Sequence, residues 1–335
     1  METSTSDTQT RPTRPWLLRH GRALLAAALL VLLAGCVTSV ILLHQRLKQA
    51  DLLEDWREGT DGHAFTDVLY DPDRGLACDI YLPLRQGPAG AMLFIHGGAW
   101  NSGQRQDIAY ACKRFAKAGY VTATLSYSLN RSDAPVDFHR MLDDIQACLL
   151  KLRQFADSHG RPLVAVALSG QSAGGHLAML YAYARADSSP LPIAFVFQQV
   201  GPSDFSVDAW PNLPPEFAWQ LACAGSGQTI PKDAFLNADV PSAVRDISPA
   251  RLVNDTTVPT IMAYGARDEL VTPIHAERLQ RALERHHIEH RLILYPNSGH
   301  LLGHDPDRAR DYRHAILDFA RRHLDSRRPP TQTQP

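Results

Sequence analysis

Short, almost wholly apolar stretches alternate along this chain with longer stretches in which apolar residues recur every three or four positions. The first pattern is typical of strands buried on both faces of a parallel sheet, and the second of amphipathic helices. Strands are predicted over 78–83, 91–95, 120–127, 163–168, 193–199, 259–265 and 290–296. Helices are predicted over 105–118, 138–156, 173–184, 273–287 and 306–323. This alternation predicts an α/β fold, a mostly parallel sheet covered by helices on both faces.

One long segment interrupts the alternation. Residues 202–258 are rich in proline, tryptophan and phenylalanine and show no clear strand pattern. Because long inserts in compact domains are usually functional, we expect this one to form a cap over a pocket. Five aromatic residues suit two alternatives, the wall of an apolar substrate pocket or a small core within the insert: Trp100, Phe205, Trp210, Phe217 and Trp219. The first alternative makes Trp100 a substrate-binding residue.

The N-terminal part differs from the rest. Residues 1–22 are polar and contain four arginines, whereas 23–43 hold no charged residue. About 20 apolar residues can span a membrane, and the arginines favour a cytoplasmic N-terminus with the bulk of the chain outside. We therefore expect a cytoplasmic tail, a transmembrane anchor over 23–43 and a juxtamembrane stalk over 44–62. The sequence LAGC at 33–36 supports an alternative, a lipoprotein signal that leaves Cys36 lipidated.

Length and charge narrow the class of protein. The chain has 335 residues, of which 44% are hydrophobic, and a formal net charge of −1. This size allows one or two domains with a large core, and we expect one folded domain over 63–324 followed by a disordered polar tail over 325–335. The near-neutral charge argues against nucleic-acid binding. The five cysteines lack CxxC pairs and metal-finger spacing, which favours buried free thiols over a disulfide.

The strand predicted over 163–168 runs into the sequence GQSAG at 170–174, where a helix begins. At such a G-x-S-x-G corner, the glycines allow a sharp turn that exposes the serine hydroxyl, here that of Ser172, at a helix N-terminus. The positive end of the helix dipole stabilises a developing anion there. Alone the pattern is weak, because it arises by chance in about a tenth of chains of this length and also suits an ordinary glycine turn.

Two later strands end at residues that would complete a reactive serine. A serine hydroxyl needs a base, and the base needs an orienting acid. Asp268 follows the strand over 259–265, and His300 follows the strand over 290–296. This is the order, acid and then histidine, that the architecture requires. We therefore predict Ser172 as nucleophile, Asp268 as acid and His300 as base.

Other acids and histidines of the chain could take the same roles. Glu269 adjoins Asp268, and His304 competes with His300 as the base. His176 follows the serine on the predicted helix, where packing or hydrogen bonding is the expected role. The three histidines of HHIEH suit a solvated face better than a metal site: His286, His287 and His290. Hydrolysis by a serine, a histidine and an acid requires no metal and no cofactor.

A glycine-rich turn supplies the remaining requirement, donors for an oxyanion. The sequence HGGAW at 96–100 follows the strand over 91–95. Its backbone N–H groups can point toward a substrate carbonyl oxygen, together with the N–H of Ala173 after the nucleophile. An ordinary strand-to-helix turn is the structural alternative for this segment.

These motifs together resemble the α/β-hydrolase fold, and within it the HGG-type carboxylesterases. The resemblance rests on HGGAW, GQSAGG, GARDELV, NSGH and ISPARLV, and it covers about residues 76–323. Within that group, the chain resembles hormone-sensitive-lipase-like, bacterial feruloyl-esterase-like and kynurenine-formamidase-like enzymes. The resemblance implies a Ser172, Asp268 and His300 triad with oxyanion donors at Gly98, Ala99 and Ala173.

The chain departs from the hormone-sensitive-lipase-like group at two positions. That group often has a third glycine where this chain has Ala99, and an arginine where it has Ser128. These differences weaken the lipase-like assignment and leave the smaller esterase and formamidase groups open, while the triad is unaffected.

The expected function is a serine hydrolase that cleaves small or medium carboxylic esters through an acyl-enzyme. A formamidase or amidase of the same fold is one alternative. A second alternative is a catalytically inert, membrane-tethered binding protein, which would be expected to show a damaged triad. A third is a peptidase, which usually carries a large gating domain for which this chain has no room.

Overall fold

Eight strands form the centre of the protein: β1 (Gly62–Asp71), β2 (Leu76–Pro83), β3 (Ala89–Ile95), β4 (Val121–Leu125), β5 (Leu163–Gln171), β6 (Ile193–Gln199), β7 (Thr260–Gly265) and β8 (His290–Tyr295). They make one sheet in the order β1-β2-β4-β3-β5-β6-β7-β8. The pairs β1–β2 and β2–β4 are antiparallel, and the other five pairs are parallel. The structure is a computed structural model that describes residues 56–84, 89–236 and 240–327.

The helices in these ranges are α1 (Ala109–Lys117), α2 (Phe138–Ser158), α3 (Ala173–Ala184), α4 (Pro215–Ser226), α5 (Lys232–Leu236), α6 (Ser242–Arg245), α7 (Pro249–Leu252), α8 (Pro273–Arg285) and α9 (Pro306–His323). Short 3-10 turns lie at Arg105–Ile108, Ala186–Ser188, Val207–Ala209 and Asp325–Arg327. All seven predicted strands and all five predicted helices are present, with ends shifted by a few residues.

The central strands are buried on both faces, which explains their uninterrupted apolar sequences. In β3, Leu93 and Ile95 lie in one hydrophobic cluster, and Met92 and Phe94 in a second cluster. Successive side chains of a strand point to opposite faces of the sheet, so the two clusters lie on opposite sides of it. The predicted α/β fold with a mostly parallel, doubly covered sheet is confirmed.

The edge strand β1 was not predicted. Its residues alternate irregularly between partly buried and exposed, and its pairing with β2 shifts register after Phe65 and after Leu69. It pairs on one side only. β1 therefore has neither the continuous apolar run of a buried strand nor the strict alternation of a half-buried one, and these are the patterns that reveal a strand in the sequence.

Residues near both predicted ends of the domain make contacts with the folded part of the chain. The Trp56 ring packs edge-to-face on Tyr81 at 5.5 Å between centroids, so the folded core includes residues that the sequence assigns to the stalk. At the other end, Leu324 is buried and the Tyr120 hydroxyl donates to Asp325 Oδ2 at 3.2 Å. In the described ranges no helix is long and apolar enough to cross a membrane. The predicted anchor over 23–43, including Cys36, lies outside those ranges.

The insert over 202–258 leaves the sheet after β6 and returns to it at β7. Its described residues form short helices, α4 to α7, with no strand among them. Phe205 and Trp210 are buried in the core cluster, and Asn212 Nδ2 donates to the Glu269 carbonyl at 3.0 Å. The insert is thus tied to the loop that follows β7, where the predicted acid lies.

Candidate active site

Ser172 lies at the corner between β5 and α3 in a backbone conformation that side chains rarely adopt. Its φ is 54° and its ψ is −121°, which is a strained region for a non-glycine residue. The flanking glycines make the corner possible. A Cβ at Gly170 would lie 2.2 Å from the Gly174 carbonyl carbon, and a Cβ at Gly174 would lie 2.0 Å from the Ile95 carbonyl oxygen. The G-x-S-x-G spacing is therefore required by close backbone contacts.

Three predicted side chains meet at this corner. His300 Nε2 lies 2.9 Å from Ser172 Oγ, and His300 Nδ1 lies 2.7 Å from Asp268 Oδ2. The imidazole thus bridges the hydroxyl and the carboxylate, although the three residues are far apart in the sequence. Both distances are those of ordinary hydrogen bonds.

Asp268 is held by its own loop. The carboxylate is buried, and its Oδ1 accepts from the backbone N–H groups of Leu270 and Val271, both at 2.9 Å. Only Oδ2 then faces His300. This division of the two oxygens fixes the imidazole with Nδ1–H toward the acid and Nε2 toward the serine.

The competing residues lie elsewhere. Glu269 is exposed, and within the described residues it forms no hydrogen bond with the His300 imidazole. His304 is exposed, and its backbone N–H donates to Ser298 Oγ at 3.0 Å. The histidines of HHIEH have separate partners: the His286 ring pairs with Asp255 at 2.6 Å, and His290 Nδ1 lies 2.8 Å from the Ile288 carbonyl.

The segment 96–100 turns with three consecutive positive φ values. These are 115° at Gly98, 49° at Ala99 and 61° at Trp100. A Cβ at Gly97 would lie 2.9 Å from the Gln171 carbonyl oxygen and 3.5 Å from Ser172 Cβ, so the turn lies against the serine. Ala99 adopts here a left-handed conformation that glycine takes with less strain.

The predicted oxyanion donors are available for hydrogen bonding. Within the described part of the chain, the N–H groups of Gly98, Ala99 and Ala173 donate to no protein acceptor. Ala173 is the first residue of α3, where backbone N–H groups have no partner within the helix. Ala173 is buried, Gly98 is half-buried and Ala99 is exposed. Three N–H groups without a protein acceptor near one serine are suited to bind an anionic oxygen.

Trp100 packs into the interior. It is 6% exposed and lies 4.9 Å from the Phe138 ring and 5.8 Å from the Phe205 ring between centroids. Its Nε1 donates to His176 Nδ1 at 3.2 Å. These contacts anchor the turn at 96–100 to α3, and the contact of Trp100 with substrate stays a prediction.

His176 connects three parts of the site, a role that no sequence pattern indicated beyond its expected packing. It lies on α3, accepts from Trp100 and donates from Nε2 to the Ile247 carbonyl of the insert at 2.9 Å. The ring is buried among Phe138 and Phe205. Burial lowers the pKa of His176 to about 3, although the bond to Ile247 opposes this shift. The ring is therefore neutral, with its proton on Nε2.

The neutral state of His176 predicts a pH dependence of stability. An unfolded histidine has a pKa of about 6.5, above the folded value of about 3. The unfolded chain therefore binds a proton that the folded chain excludes, so stability is full above about pH 6.5 and falls as the pH drops toward about 3. At pH 5 the loss amounts to about 2 kcal/mol.

Urea denaturation of the wild-type chain and of His176→Gln at pH 7.5 and 5.0 measures this contribution. Other groups titrate equally in both proteins, so the difference isolates His176. We expect the fall in the free energy of unfolding between the two pH values to be smaller by about 2 kcal/mol in the variant. Equal falls in both proteins would contradict the assignment of a neutral, buried imidazole.

The four cysteines in the described ranges all have free thiols: Cys78, Cys112, Cys148 and Cys223. The first three are buried and the fourth is half-buried. Groups of three or more potential metal ligands do not occur in the described ranges.

A serine at a strand-to-helix corner, with an acid and a histidine after two later parallel strands, defines the α/β-hydrolase class of proteins. The sequence model of the BD-FAE family matches residues 78–283. The match covers more than half of the chain, including the serine corner and the acid loop. The chain belongs to the BD-FAE family.

Individual known proteins also resemble this chain, in sequence or in fold. Esterase LipC of Mycobacterium tuberculosis is 29% identical over 259 residues, which cover 70% of this chain and 58% of that protein. The chain thus aligns with less than two thirds of that relative. A truncated carbohydrate esterase from gut microbiota has a TM-score of 0.63 at 18% identity, with 80% of this chain and 99% of that chain covered.

A second solved structure has the same fold. Esterase B of Lactobacillus rhamnosis superimposes with a TM-score of 0.63 at 21% identity, with 87% of this chain and 96% of that chain covered. At these identities the structural likeness concerns the fold.

Proposed function

We propose that the protein is a carboxylic ester hydrolase that uses Ser172, His300 and Asp268 as a catalytic triad. The observation that carries the proposal is the bridge formed by His300, 2.9 Å from the Ser172 hydroxyl and 2.7 Å from Asp268. The esterase names of the relative and of the structural neighbours support the same chemistry. The substrate class is a small or medium carboxylic ester.

Acylation begins when Ser172 Oγ attacks the ester carbonyl carbon while its proton moves to His300 Nε2. Asp268 Oδ2 accepts the bond from Nδ1–H and stabilises the imidazolium that forms. The N–H groups of Gly98, Ala99 and Ala173 donate to the carbonyl oxygen as it becomes an oxyanion. Preorganised donors of this kind typically contribute about 10²–10³ each in rate. The imidazolium proton then passes to the leaving alcohol oxygen.

Deacylation repeats these transfers with water. His300 Nε2 takes a proton from a water molecule as the water oxygen attacks the acyl carbon. The carboxylic acid leaves, and the proton returns to Ser172 Oγ. The same donors hold the second oxyanion, so a single arrangement serves both halves of the reaction.

We also propose that the hydrolase domain is tethered to a membrane on its outer side. The proposal rests on the uncharged run over 23–43 and the four arginines that precede it. Retention of the apolar run would give a transmembrane anchor, and cleavage before Cys36 would give a lipid anchor. Both forms leave the ester-cleaving domain outside the cytoplasm.

A substrate panel tests the proposed reaction. It contains p-nitrophenyl esters with acyl chains of two to ten carbons, an aryl formamide and a dipeptide anilide. We expect the best ester to reach a kcat/KM of about 10⁴ M⁻¹ s⁻¹ or more, above the values for the formamide and the anilide. Faster turnover of the formamide or anilide would contradict the ester assignment. The acyl chain length that gives the highest kcat/KM would indicate the depth of the acyl-binding pocket.

A further inference from the structure

A cavity of about 560 Å³ lies outside the triad, whose three residues take no part in its wall. This volume is within the range of small-molecule sites, roughly 300–1,000 Å³. The wall is formed by the insert and by α8. It contains five arginines: Arg245, Arg251, Arg278, Arg281 and Arg285.

The cavity has a strong excess of positive charge. Two carboxylates in the wall, Asp204 and Asp208, face five guanidinium groups, which keep their protons at all ordinary pH values. Five positive and two negative charges leave an excess of three. His286 also lines the cavity, and its ring pairs with Asp255 outside it. The chain as a whole has a net charge of −1, so this excess is local.

The inner wall is held by a network of ion pairs and hydrogen bonds. Asp204 is buried, and its carboxylate accepts from Arg251 Nε at 3.1 Å and from Arg278 Nη1 at 2.8 Å. Arg278 Nη1 also donates to Ser206 Oγ at 2.7 Å, and its Nη2 donates to Asp208 at 2.6 Å. Burial disfavours the charged form of Asp204, but the Ser206 N–H and the two arginines hold its pKa below the usual range. Two guanidinium planes are thereby fixed before any ligand arrives.

The outer wall keeps free donors. Arg245 uses its Nε for the Val240 carbonyl at 2.9 Å, and its two terminal nitrogens bond to no described residue. Arg285, at the end of α8, forms no hydrogen bond or ion pair within the described chain. Arg281 is partly engaged, with its Nη2 3.4 Å from Glu277. Among the described arginines of the wall, Arg245 and Arg285 therefore have the most donors available to a ligand.

We propose that this cavity binds a phosphate group, carried either by a soluble phosphorylated molecule or by a phospholipid headgroup. A guanidinium fork matches two phosphate oxygens with paired, charge-assisted hydrogen bonds. A phosphate monoester has about two negative charges and three acceptor oxygens, which suits an excess of three positive charges better than a single carboxylate does. The site is independent of the proposed ester hydrolysis.

Calorimetric titration of the full chain with inorganic pyrophosphate, at constant ionic strength, tests the site. The variant Arg245→Gln/Arg285→Gln removes the two free donor groups and leaves the Asp204 network intact. The control Arg308→Gln/Arg321→Gln removes the same charge from α9, where these arginines pair with Asp311 and Asp318. Thermal unfolding of each protein establishes that it is folded.

We expect the wild type to bind pyrophosphate saturably with a Kd below about 1 mM. The cavity variant should bind at least about tenfold more weakly, which corresponds to the loss of one or more charge-assisted bonds. The control should stay within about twofold of the wild type, because its charges are remote and screened. Absence of saturable binding, or equal weakening in both variants, would overturn the proposal.

Sedimentation with vesicles distinguishes the two sources of phosphate. Phosphatidylglycerol and phosphatidylcholine vesicles are compared for the same three proteins, and an N-terminal anchor would act equally in all of them. If the cavity variant loses pyrophosphate binding alone, the ligand is soluble. If it also loses its preference for phosphatidylglycerol, the ligand is a lipid headgroup. A variant that loses neither would overturn the proposal.

Discussion

The Ser172→Ala protein is expected to lose turnover of a short p-nitrophenyl ester by about 10⁴-fold or more. The substitution removes the attacking oxygen, and no described side chain other than Ser172 Oγ lies at His300 Nε2 to replace it. The donors at 96–100 and at the start of α3 remain, so binding and a low residual rate would persist. Initial rates at saturating ester measure the change.

The control for this variant is Ser158→Ala. Ser158 is an exposed residue near the end of α2, and its hydroxyl donates locally to the Phe155 carbonyl. Surface substitutions of this kind usually change the free energy of unfolding by no more than about 0.5 kcal/mol. The Ser158→Ala protein should therefore stay folded and keep the wild-type rate within about twofold. A Ser172→Ala protein as active as this control would rule out the proposed mechanism.

Asp268→Asn is expected to lower kcat by about 10³–10⁴-fold while the fold is preserved. The two side chains have nearly the same shape, but an amide is a donor at one of its two positions. The N–H groups of Leu270 and Val271 require an acceptor at Oδ1. The NH₂ group must then face His300.

The consequence is a reversed imidazole. An NH₂ group opposite His300 Nδ1 makes that nitrogen an acceptor, so the ring proton moves to Nε2. Nε2–H then donates to Ser172 Oγ and cannot take its proton. The loss should therefore appear mainly in kcat, with a smaller change in KM.

The neighbouring carboxylate provides the control for Asp268. Glu269→Gln removes one negative charge at the next residue, and Glu269 is exposed and forms no hydrogen bond with His300. We expect it to stay within about threefold of the wild type, because the effects of exposed charges are small and screened. Equal losses in Asp268→Asn and Glu269→Gln would mean that a general electrostatic effect, rather than the orientation of His300, controls the rate.

The buried parallel part of the fold could be predicted because burial on both faces leaves a continuous apolar run. β3 and β5 have such runs, and the predicted ends of both strands lie within a few residues of the observed ones. β1 could not be predicted, because an edge strand with two register shifts has neither of the usual patterns. The Ser172 corner was predictable for a related reason: close backbone contacts at Gly170 and Gly174 exclude other residues.

Long-range contacts through irregular segments were beyond the sequence. The link from Trp100 through His176 to Ile247 joins a turn, a helix and the insert, and no spacing within the chain encodes it. The arginine cavity likewise brings together residues of the insert and of α8. When each segment is considered alone, its arginines have the pattern of an ordinary solvent-exposed helix face.

Covalent labelling tests the central role of Ser172 most directly. The native protein is treated with a fluorophosphonate, digested and mapped by mass spectrometry. The triad predicts one adduct, on the peptide that contains Ser172, in the wild type and none there in Ser172→Ala. Labelling at a different residue, or no labelling of the folded wild-type protein, would contradict the assignment of Ser172 as an activated nucleophile.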